Sequence, residues 1–164
     1  MTHVRTHQHF LELIHRHQSI IHKICFVYCK NRSDREDLQQ EIILQLWKSF
    51  PTFKGNSAFS SWMYRVALNT AINQTRRPGL LIDSSSSPEI PYDPSDSYNL
   101  SEEVQILYRA ISQLRKIEKA IILLWLEEKS YEEIAVAIGI TAKNVSVKLV
   151  RIKARLAEII TLLQ

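Results

Sequence analysis

Glycine and proline are both scarce, at 3 and 5 of 164 residues, where average usage gives roughly 11 and 8. That shortage disfavours a turn-dense all-β fold. Cysteine occurs twice, and Cys25 and Cys29 lie four residues apart in a stretch of helical periodicity. A disulfide framework is therefore disfavoured, and a reducing cytoplasm is the expected location. The longest strongly apolar run, residues 120–126, falls far short of the roughly 20 residues a membrane-spanning helix needs. The N-terminus is basic and rich in histidine, without the apolar stretch and small-residue cleavage site of a secretion signal. No stable membrane insertion is expected. Also missing are a glycine-rich phosphate loop, a nucleophile elbow and a metalloprotease helix. The carboxylate pairs Glu127-Glu128 and Glu132-Glu133 fall near helix ends, where solvated acids are ordinary. The expectation is a non-enzyme with no catalytic residues, no cofactor and no metal.

What the chain does have is the apolar fraction of a folded protein, 45%, with 23% charged residues. Its net charge of +4 is unevenly spread. Residues 1–77 carry 11 Lys and Arg against 5 Asp and Glu, and residues 101–164 carry 10 against 8. Residues 78–100 carry 4 acidic residues and no basic one. Five basic side chains and no acidic one fall within 141–156: Lys143, Lys148, Arg151, Lys153 and Arg155. Two basic modules around an acidic connector suit a polyanionic partner.

That connector holds four of the five prolines and the run Ser84-Ser85-Ser86-Ser87, which breaks any helical period and reads as a flexible linker. Before it the pattern predicts three helices. The first covers 8–30, with Phe10, Leu13, Ile14, Ile21, Ile24, Cys25 and Tyr28 on one stripe. The second starts at Ser33, which has capping-box spacing to Glu36, and runs to about residue 50 with Leu38, Ile42, Leu46 and Phe50 inward. A loop over 51–57 leads to a third helix over 58–77. After the connector, Ser101-Glu102-Glu103 opens a helix with an acidic first turn, and another follows over about 115–127. Ser130-Tyr131-Glu132-Glu133 is a capping box before the stripe Tyr131, Ile134, Ala135 and Ile138. Gly139 falls where a helix end needs a left-handed residue, and Thr141 starts a last helix to about residue 162. The fold class expected is all-α, with two small helical domains (1–77 and 101–164) joined by the linker over 78–100.

A short capped helix, a turn with glycine and a longer basic helix form the helix-turn-helix pattern. In the second of these helices Val145, Leu149, Ile152 and Leu156 make a stripe that must be buried. Asn144, Lys148, Arg151 and Arg155 make another about a quarter-turn away, extended by Lys143 and Val147. Such a helix can enter a major groove with some side chains on phosphates and others on base edges. The third helix carries Phe59, Met63, Val66 and Thr70 inward, with Trp62, Arg65, Asn69, Asn73 and Arg76 on another face. Aromatics interleaved with Arg and Asn suit single-stranded nucleic acid, although a Trp beside a core stripe is more often part of the core.

These residues carry a resemblance. Asp34-Arg35-Glu36-Asp37-Leu38-Gln39-Gln40-Glu41 through Leu46-Trp47, then Phe53, Gly55, Phe59, Trp62, Arg65, Ala67, Asn69 and Arg76-Arg77, resemble the second domain of bacterial RNA polymerase sigma factors. Ser130-Tyr131-Glu132-Glu133-Ile134-Ala135, Gly139-Ile140-Thr141, Val145, Leu149, Arg151 and Leu156 resemble their fourth. Two domains joined by a linker is the arrangement of the extracytoplasmic-function group. The resemblance departs at Leu114-Arg115, where the family usually has Leu-Pro, and at Lys143-Asn144, where it often has Gly-Thr. The second departure alters the groove-facing start of the recognition helix, so no promoter sequence carries over.

What the resemblance implies is a transcription initiation factor whose partners are core RNA polymerase and promoter DNA, with an anti-sigma factor as a further partner to look for. The polymerase-docking residues it implies are Asp37, Gln40, Glu41, Leu44 and Trp47. For minus-ten capture and melting it implies Lys54, Asn56, Ser57, Trp62, Arg65, Asn69, Asn73, Arg76 and Arg77. For the minus-thirty-five element it implies Lys143, Asn144, Val147, Lys148, Arg151 and Arg155. Two other readings compete. The six histidines all fall within the first 22 residues, and His22, Cys25 and Cys29 share a helix face, which suggests zinc; the same spacing suits ordinary buried thiols, and that reading is preferred. The other is a stand-alone helix-turn-helix regulator with an N-terminal sensing or dimerisation module, which would footprint a palindrome without polymerase.

Overall fold

A computed structural model describes residues 2–55, 57–74 and 101–164, with backbone only for 2–5. The chain divides into two compact units, Met1–Ile90 and Pro91–Gln164. All regular structure among the described residues is helical, in eight α-helices and one 3-10 turn.

In the first unit α1 (Thr2–Arg16) and α2 (Gln18–Tyr28) replace the single helix expected over 8–30. The break is at His17, whose backbone φ of −110° and ψ of 18° leave the helical range. The reason lies in burial. Helix α1 is one-sided, covering Phe10 and Ile14, whereas α2 buries Ile20, Ile21, Ile24, Cys25, Val27 and Tyr28 and leaves only Ser19 exposed. One straight helix cannot serve both environments.

Helix α3 (Arg32–Ser49) starts one residue before Ser33, and its cap is Asn31. The Asn31 side chain accepts from the Asp34 backbone N–H at 2.8 Å and donates to the Asp34 carboxylate at 2.9 Å. Asn31 and Asp34 have the same spacing as the expected pair Ser33 and Glu36. Asn31 makes both bonds of the pair, whereas Glu36 is engaged by Arg32 at 3.1 Å. A cap of this kind contributes about 1 kcal/mol. Helix α3 buries Leu38, Ile42 and Leu46, as its periodicity predicts. Phe50, read as a continuation of that stripe, begins the 3-10 turn Phe50–Thr52 and is half-buried. Pro51 explains the change, since a proline fits the first turn of a new helical segment. Helix α4 (Phe59–Gln74) then packs on α2 and α3 through Met63, Tyr64, Ala67, Leu68 and Ala71.

The second unit contains α5 (Glu102–Ile111), α6 (Lys116–Leu126), α7 (Tyr131–Ile138) and α8 (Ala142–Leu163). Its centre is built from Ile111, Ala120 to Leu124, Ile134 and the α8 stripe Val145, Leu149, Ile152, Leu156 and Ile159. Ser130 and Glu133 form the expected reciprocal cap, at 3.1 and 3.3 Å. Tyr131, expected on the inward stripe of α7, is exposed, because the first residue of a short helix overhangs the core it leads into. Gly139 ends α7 at φ +85°, the left-handed conformation anticipated for it. Thr141 caps α8 by accepting from the Asn144 N–H at 3.1 Å.

Arg115, which stands where the resemblance expects proline, is the N-cap of α6 at φ −73°, within the range a proline ring enforces. Its N–H donates to the Glu118 carboxylate at 3.2 Å. A proline has no such proton, so this chain holds the same backbone angle with a hydrogen bond in place of a ring.

Candidate functional site

Helix α3 buries one stripe and leaves another outside. Asp37, Gln40, Leu44 and Trp47 are exposed and Glu41 is half-buried, all at the 3- and 4-residue steps that place side chains along one face. Leu44 is 43% and Trp47 40% exposed, so an otherwise polar face carries two apolar anchors. Glu41 accepts from Gln45 Nε2 at 3.0 Å, which fixes its carboxylate without neutralising it. The Trp47 ring is steadied from behind by His7 and Phe10 of α1, at centroid distances of 5.4 and 5.0 Å. The five residues expected on this face thus share it.

Of the residues expected in the loop before α4, Lys54 and Ser57 are exposed and Asn56 lies outside the described residues. Gly55 adopts φ +75°, and nothing stands within 4 Å of the position its missing Cβ would take. The loop therefore turns at Gly55 with its outer side open. Arg65, Asn69 and Asn73 are exposed along one face of α4, while Arg76 and Arg77 lie outside the described residues. Trp62 is different: half-buried, it stands 5.1 Å from Phe53, 5.4 Å from Phe59 and 6.3 Å from Phe50. Its ring belongs to a four-membered aromatic cluster, so only part of it is offered outward.

Two further features escaped the periodicity. A cavity of about 380 Å³ between α3 and α4 is lined by Glu41 and Gln45 on one side and Asn69 and Asn73 on the other, bringing together side chains assigned to separate surfaces. Its signal in the sequence is weak, because polar side chains on two helices carry no shared pattern. The aromatic cluster had a readable sign in the three-residue spacing of Trp47, Phe50 and Phe53 and of Phe59 and Trp62. Spacing does not tell which rings meet.

In the second unit Lys143, Asn144, Val147, Lys148, Arg151 and Arg155 all lie exposed on the outer side of α8. Among the described residues no acidic side chain comes within ion-pair distance of these four cations. Lys153 is set apart, its ammonium lying 3.9 Å from the centre of the Trp125 ring on α6. Val147, 45% exposed, supplies an apolar contact amid the charge. Helix α7 ends at the left-handed Gly139 and the α8 cap, Thr141, follows two residues later, so the cationic face is carried by a capped turn and a buried stripe.

The thiols occupy different surroundings. Cys25 is buried and Cys29 half-buried, and they form no disulfide. Burial, reinforced by Cys29 alongside, pushes the Cys25 thiol up to about 12, with Arg35 opposing. Cys25 is therefore a neutral core thiol at physiological pH. Iodoacetamide should label Cys29 in the native chain and reach Cys25 only after unfolding, which intact mass of timed samples will follow. The same shift removes stability as pH rises from about 9 toward 12, because the unfolded chain loses a proton that the folded one holds.

Residues 13–79 match the family Sigma-70 region 2, and residues 104–156 match Sigma-70, region 4. The chain is 33% identical over 137 residues to the ECF RNA polymerase sigma-E factor of Haemophilus influenzae, covering 75% of this chain and 72% of that one. The chain belongs to the extracytoplasmic-function group of the sigma-70 family. The sigma-E factor of Escherichia coli K12 is 36% identical over 123 residues, 62% of this chain and 61% of that one. The structure of the sigma factor RpoE with the anti-sigma factor NepR from Bartonella quintana aligns at a TM-score of 0.70 and 20% identity, covering 96% and 97% of the two chains. That of CnrH with the cytosolic domain of CnrY aligns at 0.63 and 19%, covering 94% and 89%.

As a sigma factor the protein is a transcription initiation factor, not an enzyme, and works with core RNA polymerase on promoter DNA. Region 2 is the part that binds core and melts the minus-ten element, and region 4 is the minus-thirty-five helix-turn-helix. The stand-alone regulator is set aside by the two regions occurring together in that order. No helix among the described residues is long and apolar enough to cross a membrane.

Proposed function

We propose that the polymerase-docking surface of this sigma factor is the α3 face made by Asp37, Gln40, Glu41, Leu44 and Trp47. The loop at Lys54, Asn56 and Ser57, followed by Trp62, Arg65, Asn69, Asn73, Arg76 and Arg77, captures the minus-ten strand. Lys143, Asn144, Val147, Lys148, Arg151 and Arg155 take the minus-thirty-five element. By this division residues 1–77 act as domain two, 101–164 as domain four and 78–100 as their linker, in the cytoplasm. An anti-sigma factor is a third partner, by analogy with the solved complex of RpoE with the anti-sigma factor NepR.

The observation that carries the reading is the unneutralised cationic side of α8, held by a capped turn on a buried stripe. An exposed row of cations that form no ion pair among the described residues has a phosphate backbone as its natural partner. Copurification of the chain with core polymerase, followed by footprinting, tests the whole. Protection of an asymmetric promoter only in the presence of core is the expected outcome; a palindrome protected without core would overturn the reading.

Docking through α3 has its own test. Glu41 lies off the Leu38–Ile42–Leu46 stripe, so Glu41→Lys reverses a charge without touching the core. Helicity and thermal unfolding should stay close to the parent's, while affinity for core polymerase falls roughly tenfold, as expected when a close interfacial pair becomes repulsive. A folded mutant that binds core as the parent does would place the docking surface elsewhere.

A further inference from the structure

The first twelve residues precede the region 2 match, which begins at residue 13, yet the side chains of α1 are engaged with the element that region 2 uses on DNA. Phe10 is 2% exposed. Its ring stands 5.2 Å from Phe50 in edge-to-face geometry and 5.0 Å from Trp47 in the same geometry. Phe50 in turn stands 6.4 Å from Phe59 and 6.3 Å from Trp62. Phe53 and Phe59, which bracket the loop, are 5.7 Å apart, so the loop is closed at its base by a ring pair. At the far end of α1, His17 reaches Phe59 at 5.5 Å. Helix α1 and the break at His17 that ends it therefore touch both flanks of the loop, through Phe10 on Phe50 before it and through His17 on Phe59 after it.

We propose that α1 is a positioning clamp for the strand-opening loop, with Phe10 its key residue and His17 its second contact. The inference rests on the reading of that loop as the minus-ten capture element. The physical reason is preorganisation. Holding an unstacked base requires a loop whose shape is set before the base arrives, because binding that must first order the loop is weakened by the ordering. The loop itself is polar and turns at Gly55, whose Cβ position meets nothing within 4 Å, so its described packing comes from its two ends, Phe53 and Phe59. Edge-to-face rings do this well, since they resist both rotation and sliding. Phe10 also backs Trp47, but His7 supports the same ring at 5.4 Å, so the docking face keeps a support when Phe10 is shortened to leucine. A positioning residue of this kind touches neither polymerase nor DNA.

The experiment compares parent, Phe10→Leu, His17→Ala and the exposed-site control Leu11→Ala, each as a full chain bound to core polymerase. The probe is a duplex promoter selected with the parent holoenzyme from a randomised library. Core affinity, closed-complex affinity and permanganate reactivity of minus-ten thymines are measured separately. Leucine keeps most of the buried volume, so Phe10→Leu should fold. Its core and closed-complex affinities should stay within about twofold of the parent's, while its rate of opening falls about tenfold, equivalent to about 1.4 kcal/mol. His17→Ala, at a half-buried position, should lower opening several-fold with the same split, and Leu11→Ala should open as the parent does. Parent-like opening by folded Phe10→Leu and His17→Ala would overturn the proposal, as would a loss of core affinity in proportion to opening. A parent chain that does not open promoters with core overturns the functional reading itself, and that result is separable because it appears without any substitution.

Discussion

Arg151→Ala should flatten the base preference of the holoenzyme at one or two positions of the upstream element, whereas Arg155→Ala should weaken every promoter alike. Both side chains are exposed on the same side of α8, and their sequence separation is what divides them. In a helix-turn-helix the N-terminal part of the second helix enters the groove and later turns leave it. Arg151 is ten residues past the Thr141 cap, and Arg155 is one turn further on. An arginine on a base edge contributes about 1–3 kcal/mol of discrimination, so its loss is read as relaxed sequence preference. An arginine on a phosphate contributes affinity without sequence, and its loss should reduce the salt slope by about one unit. Selection from a randomised upstream element, together with binding across a salt series, separates the two. Uniform losses from both mutants would make α8 an electrostatic anchor with no reading role. Lys153→Ala provides an internal contrast: its ammonium is engaged by Trp125, so its removal should cost the fold more than it costs DNA binding.

The recognition helix was legible because its two faces obey different rules. Val145, Leu149, Ile152 and Leu156 follow helical spacing, and burial of that stripe fixes where every other side chain must point. The capping residues Ser130 and Thr141 and the glycine between them then fix where the helices end. Nothing further was needed to set Lys143, Arg151 and Arg155 outward.

The first unit was harder to read, for reasons visible in single residues. No proline or glycine marks the break at His17; it arises because α2 is surrounded and α1 is not, a property of the assembled core. Asn31 and Ser33 offered competing caps of equal spacing, and Asn31 prevails with two hydrogen bonds to Asp34. Trp62 shows the limit most clearly. Helical spacing groups it with the exposed polar residues Arg65, Asn69 and Asn73, but its neighbours in space are Phe50, Phe53 and Phe59. Periodicity assigns a residue to a face and says nothing about which rings from other segments meet there. The face proposed for polymerase docking lies between these cases: helical spacing sets Leu44 off the buried Leu38–Ile42–Leu46 stripe, and it is exposed, while the support of Trp47 by α1 became visible only in three dimensions.

The loop between the 3-10 turn and α4 should decide strand opening. Lys54 and Ser57 flank the left-handed Gly55 and the adjoining position 56, with their side chains exposed. Extruding a base from a duplex costs a few kcal/mol, and the complex opens only if the loop returns a comparable amount in hydrogen bonds and charge. Replacing Asn56 and Ser57 together by alanine removes the neutral hydrogen-bonding groups and leaves the aromatic base of the loop, Phe53 against Phe59, in place. Closed-complex affinity should therefore change little, while open complex falls by one to two orders of magnitude, the equivalent of about 1.4–2.8 kcal/mol. Lys54→Ala should act differently, lowering closed and open complexes together through the loss of one phosphate contact. Permanganate reactivity of minus-ten thymines at saturating holoenzyme isolates the opening step from binding. Equal reactivity with the double mutant and the parent would move base capture away from this loop and onto Arg65, Asn69 and Asn73 of α4.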